Sequence, residues 1–275
     1  MNVVSAIFFG IIQGLTEFLP VSSSGHLAIM QNIFGMENVE ESNLTFTVLL
    51  HLGTLIAVFL VYRRDIFPLI PAFFTGLGKL FHGKRKLADY NERERMVFFV
   101  ILATLPLVLA VLMKDGVALL SAHTKVIGFI LMLNALVLYI SDRFSGGNGG
   151  INEMTPRSAV MVGLCQFCAV LPGLSRSGAT ITGGLLQGFS REFAVKFSFI
   201  LSIPAILGAN ILEVPKIVSN PIPQGETVAY IAGVVAAALS GIAAMKLLQF
   251  ISRKSNFRIF SYYCLAAGLI AVIFG

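Results

Sequence analysis

"GIIQGLTEFLPVSSSG" (residues 10–25) and "GLCQFCAVLPGLSRSG" (residues 163–178) decide how this chain folds. Both runs open on Gly, place Gln three residues later, carry Leu-Pro, and close on a serine cluster and Gly. The Leu-Pro pair slips by one position between them. Each run interrupts a longer apolar region, 1–36 and 158–189. Proline removes a backbone donor and collides with the preceding turn, and Gly and Ser favour turns, so each region breaks mid-helix. The arms that remain, about 10–18 residues, fall short of the ~20 that cross ~30 Å of hydrocarbon. They suit a re-entrant hairpin that dips into the bilayer and returns to its own side, in preference to two full crossings joined by a turn. The shared pattern reads as an internal duplication.

The rest of the chain supplies the lipid setting. Of 275 residues, 56% are hydrophobic and only 12% are charged. Mean hydropathy is +0.84. Soluble domains carry about a quarter charged residues, so the class is all-α integral membrane. Six segments are predicted to span: 44–62, 96–113, 123–141, 193–213, 227–246 and 258–274. The formal charge of +6 is not interleaved with aromatics as a nucleic-acid groove requires, so no nucleic-acid partner is expected. The start "MNVVSAIFFG" has neither Lys nor Arg, and no cleavable signal is expected. Cys165 and Cys168 form a lone C-x-x-C without the partner pair that zinc needs.

Three spans separate the two broken regions. An odd number puts the second copy on the opposite side from the first, which makes an inverted-topology repeat: about 1–141 and about 154–275 of a single membrane domain. Lys and Arg set the orientation. The 63–95 loop alone carries eight, and the same side gathers sixteen of the 20, against Lys114, Lys125 and Lys216 on the other side. By the positive-inside rule the crowded side is cytoplasmic, so both termini and the site face outward. The stretch 66–81 reads as an interfacial helix on the cytoplasmic face.

The polar residues at the breaks carry the chemistry. Gln13 and Glu17 lie four apart on one helix face. A serine of Ser22–Ser24 can cap the next helix, with His26 in its first turn, and Ser175 can cap the helix that begins near Arg176. A helix start offers free N–H groups and partial positive charge, an anion site. Gly25, Gly173 and Gly178 permit close approach, and Arg176 can grip a phosphate with two parallel hydrogen bonds. A charge at membrane depth marks function. Two helix starts, one arginine and several hydroxyls suit a phosphate. A serine could attack phosphorus with His26 as base and Glu17 orienting it, or His26 could attack directly. His51 and His123 read as satisfied or interfacial histidines. A transporter or flippase of an anionic isoprenyl lipid is the competing reading, because inverted repeats are a transporter architecture.

Through "QGLTEFLPVSSSGH" (13–26) and "LPGLSRSGATITGG" (171–184), the chain resembles the undecaprenyl-diphosphate phosphatases, or bacitracin-resistance proteins, over essentially its full length. The resemblance implies an inner-membrane enzyme that converts undecaprenyl diphosphate to the monophosphate, recycling the lipid carrier for peptidoglycan. It implies inverted repeats with re-entrant helices, a membrane-lipid environment and a homodimer. It implies Glu17, Ser22, Ser23 and His26 as catalytic or phosphate-binding, Ser175, Arg176 and Ser177 as diphosphate-binding, and dependence on Mg²⁺ or Ca²⁺ through Glu17. Gln13 stands where the family often has glutamate, and an amide is a poor metal ligand. Gln13, Ser24, Gly25, Gly173 and Gly178 complete the expected substrate-binding set, with no organic cofactor. The "SGH" tripeptide is shared with type-2 phosphatidic acid phosphatases, but their companion basic motif is missing here.

Overall fold

A computed structural model describes residues 1–33, 44–83, 86–144, 146–219, 222–254 and 257–275. Residues 34–36 of the first broken region, and Lys84 and Arg85 of the basic loop, lie outside these. The helices are α1 (Val3–Phe18), α2 (Ser23–Ile33), α3 (Leu44–Val61), α4 (Arg63–Ile66), α5 (Leu69–Phe81), α6 (Glu92–Thr104), α7 (Lys114–Ser121), α8 (Thr124–Ser141), α9 (Pro156–Cys168), α10 (Arg176–Leu186), α11 (Arg191–Ser219), α12 (Thr227–Lys254) and α13 (Arg258–Phe274). A 3₁₀ segment, Leu105–Met113, extends α6. No strand occurs among the described residues, only an isolated bridge between Gly149 and Phe189.

Five stretches are long and apolar enough to cross a membrane: Leu44–Val61, Glu92–Met113, Thr124–Phe144, Arg191–Pro215 and Thr227–Arg253. The expected sixth, α13, has 17 residues, about 26 Å at 1.5 Å per residue. The outward surface is apolar: Leu112, Leu119, Phe129, Leu239 and Ile273 are all exposed. In water that surface would be costly; against acyl chains it is matched. This is an integral membrane all-α protein.

Both predicted breaks are present. α1 starts at Asn2, whose side chain accepts from Ser5 N at 2.7 Å. It ends because Pro20 forces the preceding residue out of the helical region; Leu19 is extended at φ −67°, ψ 145°. The second hairpin is α9 and α10. α9 opens with a capping box of Thr155 and Ser158, with Pro156 at its first position. α5 forms within the stretch 66–81, with Phe73, Phe74, Leu80 and Phe81 turned outward and Ala72 buried.

Small residues set the packing, because lipid supplies no hydrophobic drive between helices and close backbone contact is what remains. α1 packs along α12, and α13 along α8. A Cβ on Gly10 would sit 2.3 Å from the carbonyl oxygen of Gly233. One on Gly163 of α9 would sit 2.4 Å from the carbonyl oxygen of Ala103 on α6. The largest buried cluster includes an aromatic group, with Phe18 edge-on to Phe199 at 5.5 Å and Tyr62 against the same ring. It wedges α1 against α11 directly beside the first break.

Candidate active site

The two breaks meet. A Cβ built on Gly25 of the first tip would lie 3.0 Å from the Cα of Gly173 in the second. Gly173 itself has φ +99°, a conformation that suits glycine. One built on Gly178 would touch Pro20 at 3.3 Å. Ser177 Oγ crosses to donate to the Leu19 carbonyl at 3.2 Å.

The serines cap as expected, and at matching positions. Ser22 Oγ accepts from Gly25 N at 3.3 Å, and Ser175 Oγ accepts from Gly178 N at 3.2 Å. Each side chain satisfies one orphan donor of a helix start and leaves the others facing the junction. Ser22 reaches its cap from a left-handed backbone at φ +72°, the one non-glycine residue of this kind among those described. Such strain clusters at functional turns. Ser24 sits beside Ser22, Oγ to Oγ at 3.4 Å.

Glu17 is the hub. It is 8% exposed. Its Oε1 accepts from Arg176 Nη2 at 2.5 Å, so the first tip's carboxylate is paired with the second tip's guanidinium. Its Oε2 accepts from Ser23 Oγ at 2.7 Å and from Gln13 Nε2 at 3.1 Å. Gln13 Oε1 is buried without a hydrogen-bond partner. Thr16, Glu17, Ser22, Ser23, Ser24, Ala169, Leu174, Ser175 and Arg176 line a cavity of about 50 Å³.

His26 stands apart from this cluster, and the expected approach to Glu17 does not form. Its Nδ1 lies 2.7 Å from the Ser22 carbonyl oxygen, which can only accept, so Nδ1 carries the hydrogen. Nε2 then accepts from the Tyr263 hydroxyl of α13 at 2.7 Å, and the two rings stack with planes 6° apart. The histidine facing Glu17 is His51 of α3, whose Nε2 lies 3.9 Å from Oε2 and whose Nδ1 is held by the Thr47 carbonyl at 2.9 Å.

Three residues here escaped the sequence reading. By sequence His51 reads as a satisfied or interfacial histidine, and Asn134 and Tyr263 do not stand out. Asn134 is fully buried on α8; its Nδ2 donates to the Pro20 carbonyl at 3.0 Å and its Oδ1 accepts from Ser175 N at 3.2 Å. His51 and Asn134 did carry a signal, as polar side chains within apolar spans. Tyr263 carried none, because tyrosine is ordinary near membrane interfaces.

Comparison with known proteins agrees with this setting. The family described as bacitracin resistance protein BacA matches residues 6–270. A protein named undecaprenyl-diphosphatase from Methanobrevibacter smithii is 43% identical, covering 98% of this chain and 96% of its own length. One of the same name from Alkaliphilus metalliredigens is 40% identical over 100% of this chain and 99% of its own. A third, from Methanosphaera stadtmanae, is 37% identical over 99% and 98%.

Proposed function

The chain belongs to the bacitracin resistance protein BacA family, and from that premise we propose how its two broken helices act on a lipid diphosphate. It is an undecaprenyl-diphosphatase, a phosphoric anhydride hydrolase that cleaves undecaprenyl diphosphate to undecaprenyl phosphate and inorganic phosphate.

The observation that carries the mechanism is the 2.7 Å hydrogen bond from Ser23 Oγ to Glu17 Oε2. A serine is a weak nucleophile until a base takes its proton, and a nucleophile–base contact at this distance is the diagnostic arrangement. Ser23 Oγ attacks the terminal phosphorus while Glu17 takes the hydroxyl proton. The bond from that phosphorus to the bridging oxygen breaks, and undecaprenyl phosphate leaves with the electron pair. Water then attacks the phosphoserine, the proton that Glu17 holds passes to the departing Ser23 oxygen, and phosphate leaves carrying the protons of the water. Arg176 exchanges the carboxylate for the diphosphate and neutralises charge as it develops. The N–H groups at the starts of α2 and α10, with Ser22, Ser24, Ser175 and Ser177 around them, bind the phosphate oxygens. His26 serves through the turn: it ties the strained Ser22 carbonyl and leaves proton abstraction to Glu17.

A divalent cation fits this donor set only when shared with substrate. Glu17 and the unpartnered Gln13 Oε1 are oxygen donors, and Mg²⁺ commonly binds through one or two carboxylates plus substrate phosphates. Among the described residues no group of three or more His, Cys, Asp or Glu forms a cage of its own. Bound there, the ion supplies further neutralisation of the diphosphate.

The inverted repeat, the sixth span α13, outward termini in the inner membrane and a homodimer belong to the same reading. Paired contacts support the repeat. Gly10 and Gly163, equivalent in the two motifs, each press the first arm of one half onto a span of the other half. Ser22 and Ser175, also equivalent, each accept from the N–H three residues on. The experiment that tests the mechanism is rapid quench of purified protein with undecaprenyl diphosphate, followed by peptide mass spectrometry. Phosphate on Ser23, lost together with turnover in Ser23→Ala, is expected. Wild-type turnover by Ser23→Ala refutes the serine route.

A further inference from the structure

The chemistry above needs two half-sites from opposite halves of the chain to address one diphosphate. Direct cross-tip contacts are few: the Glu17–Arg176 pair and the Ser177–Leu19 bond. The first must open for substrate to bind. What then keeps the tips in register, beside the Ser177–Leu19 bond, is Asn134. We propose that Asn134 is a positioning residue that fixes the spacing of the two anion-binding helix starts, and this rests on the diphosphatase reading.

One amide does this because it carries a donor and an acceptor on a planar frame. The donor goes to the Pro20 carbonyl, two residues ahead of Ser22 in the first tip, at 3.0 Å. The acceptor takes the N–H of Ser175, the residue that caps α10, at 3.2 Å. The two bonds thus clamp both tips to a third element, α8, from a side chain with no solvent exposure. Asn134 Nδ2 also lies 3.3 Å from Cys264 Sγ, and Cys264 Sγ lies 3.8 Å from the same Pro20 oxygen, so α13 backs the clamp. No bond of this set involves Glu17, Ser23 or Arg176. The clamp therefore survives substrate entry, when Arg176 leaves the carboxylate. Holding Pro20 and Ser175 together takes both a donor and an acceptor, because a carbonyl oxygen and an N–H are met at once.

Alignment errors fall on the transition state more than on ground-state binding, so the clamp acts on kcat rather than KM. The test is steady-state phosphate release from undecaprenyl diphosphate by purified wild type and Asn134→Leu, which keeps the branched shape and loses both bonds. With a misplacement on the order of 1 Å, kcat is expected to fall about 100-fold while KM stays within about threefold. The same substitution is then made in Arg176→Lys, where the two-pronged grip of the second tip is already lost. There the further loss is expected to be below about threefold, since the clamp has little left to align. A kcat for Asn134→Leu within about twofold of wild type overturns the proposal, as does a rise in KM with kcat unchanged. An equal loss in both backgrounds also overturns it, because that marks general destabilisation. If Asn134→Leu does not fold, Asn134→Ala removes the same bonds without crowding Pro20 and carries the same outcomes. Absence of phosphate release by wild type itself would strike the diphosphatase reading instead of the clamp.

Discussion

Replacing Glu17 by Gln tests the centre of the mechanism and separates its catalytic from its structural part. The amide keeps the shape of the carboxylate and can still accept from Ser23, but it cannot take a proton. A positioned general base contributes about 10²–10⁴ in rate, which is about 2.7–5.4 kcal/mol at 1.36 kcal/mol per decade. The kcat for phosphate release is expected to fall by that factor. Stability falls as well, for a different reason. Glu17 Oε1 is paired with Arg176 Nη2 at 2.5 Å, and the two side chains retain 7% and 18% of their exposure. Removing one partner of a buried pair costs about 3–5 kcal/mol, and the residual exposure of the guanidinium places this case near the lower end. The thermal midpoint in detergent reads that loss. A double variant, Glu17→Gln with Arg176→Met, removes the stranded charge; it is expected to recover most of the midpoint and none of the turnover. Turnover by Glu17→Gln within about threefold of wild type refutes Glu17 as the base. Turnover restored by the double variant shows that the loss was structural.

Two further predictions follow from other contacts. His26→Ala removes the tie on the Ser22 carbonyl, and Tyr263→Phe leaves Nε2 without its donor. Because neither group touches Glu17, each is expected to lower kcat by about tenfold, well short of the about 10²–10⁴ of a lost base; a loss of that larger size in His26→Ala returns His26 to the base's role. Gly10→Ala and Gly163→Ala each drive a methyl into a facing backbone carbonyl, at 2.3 and 2.4 Å, and are expected to cost about 1–3 kcal/mol each in detergent stability. Gly78→Ala on α5, with open space around the position, is the neutral control, and equal midpoints for all three variants refute the packing argument.

The breaks were legible because their cause is local. Leu19 is extended because Pro20 follows it, and α10 begins at Ser175 because a hydroxyl can reach the N–H three residues on. Both follow from neighbours in the chain. Arg176 stood out because a guanidinium amid apolar sequence has no inexpensive explanation. The partner of Glu17 was another matter. Sequence proximity favoured His26, nine residues away, yet α2 turns its ring toward Tyr263 on α13, and α3 delivers His51 instead. Asn134 drew no notice, since a lone amide in an apolar span can bond to many things.

Composition and order of residues alone determined that this chain lives in lipid and that two of its apolar regions break at Leu-Pro and serine. Those are consequences of desolvation cost and backbone geometry, which act within a few residues. Which side chains then meet was decided only by the tertiary structure. Contacts such as Glu17 to Arg176 or Asn134 to Pro20 depend on how each helix is rotated about its axis and how closely its neighbours approach. Those rotations are set jointly by small-residue packing along whole helices, and no short stretch of sequence encodes them.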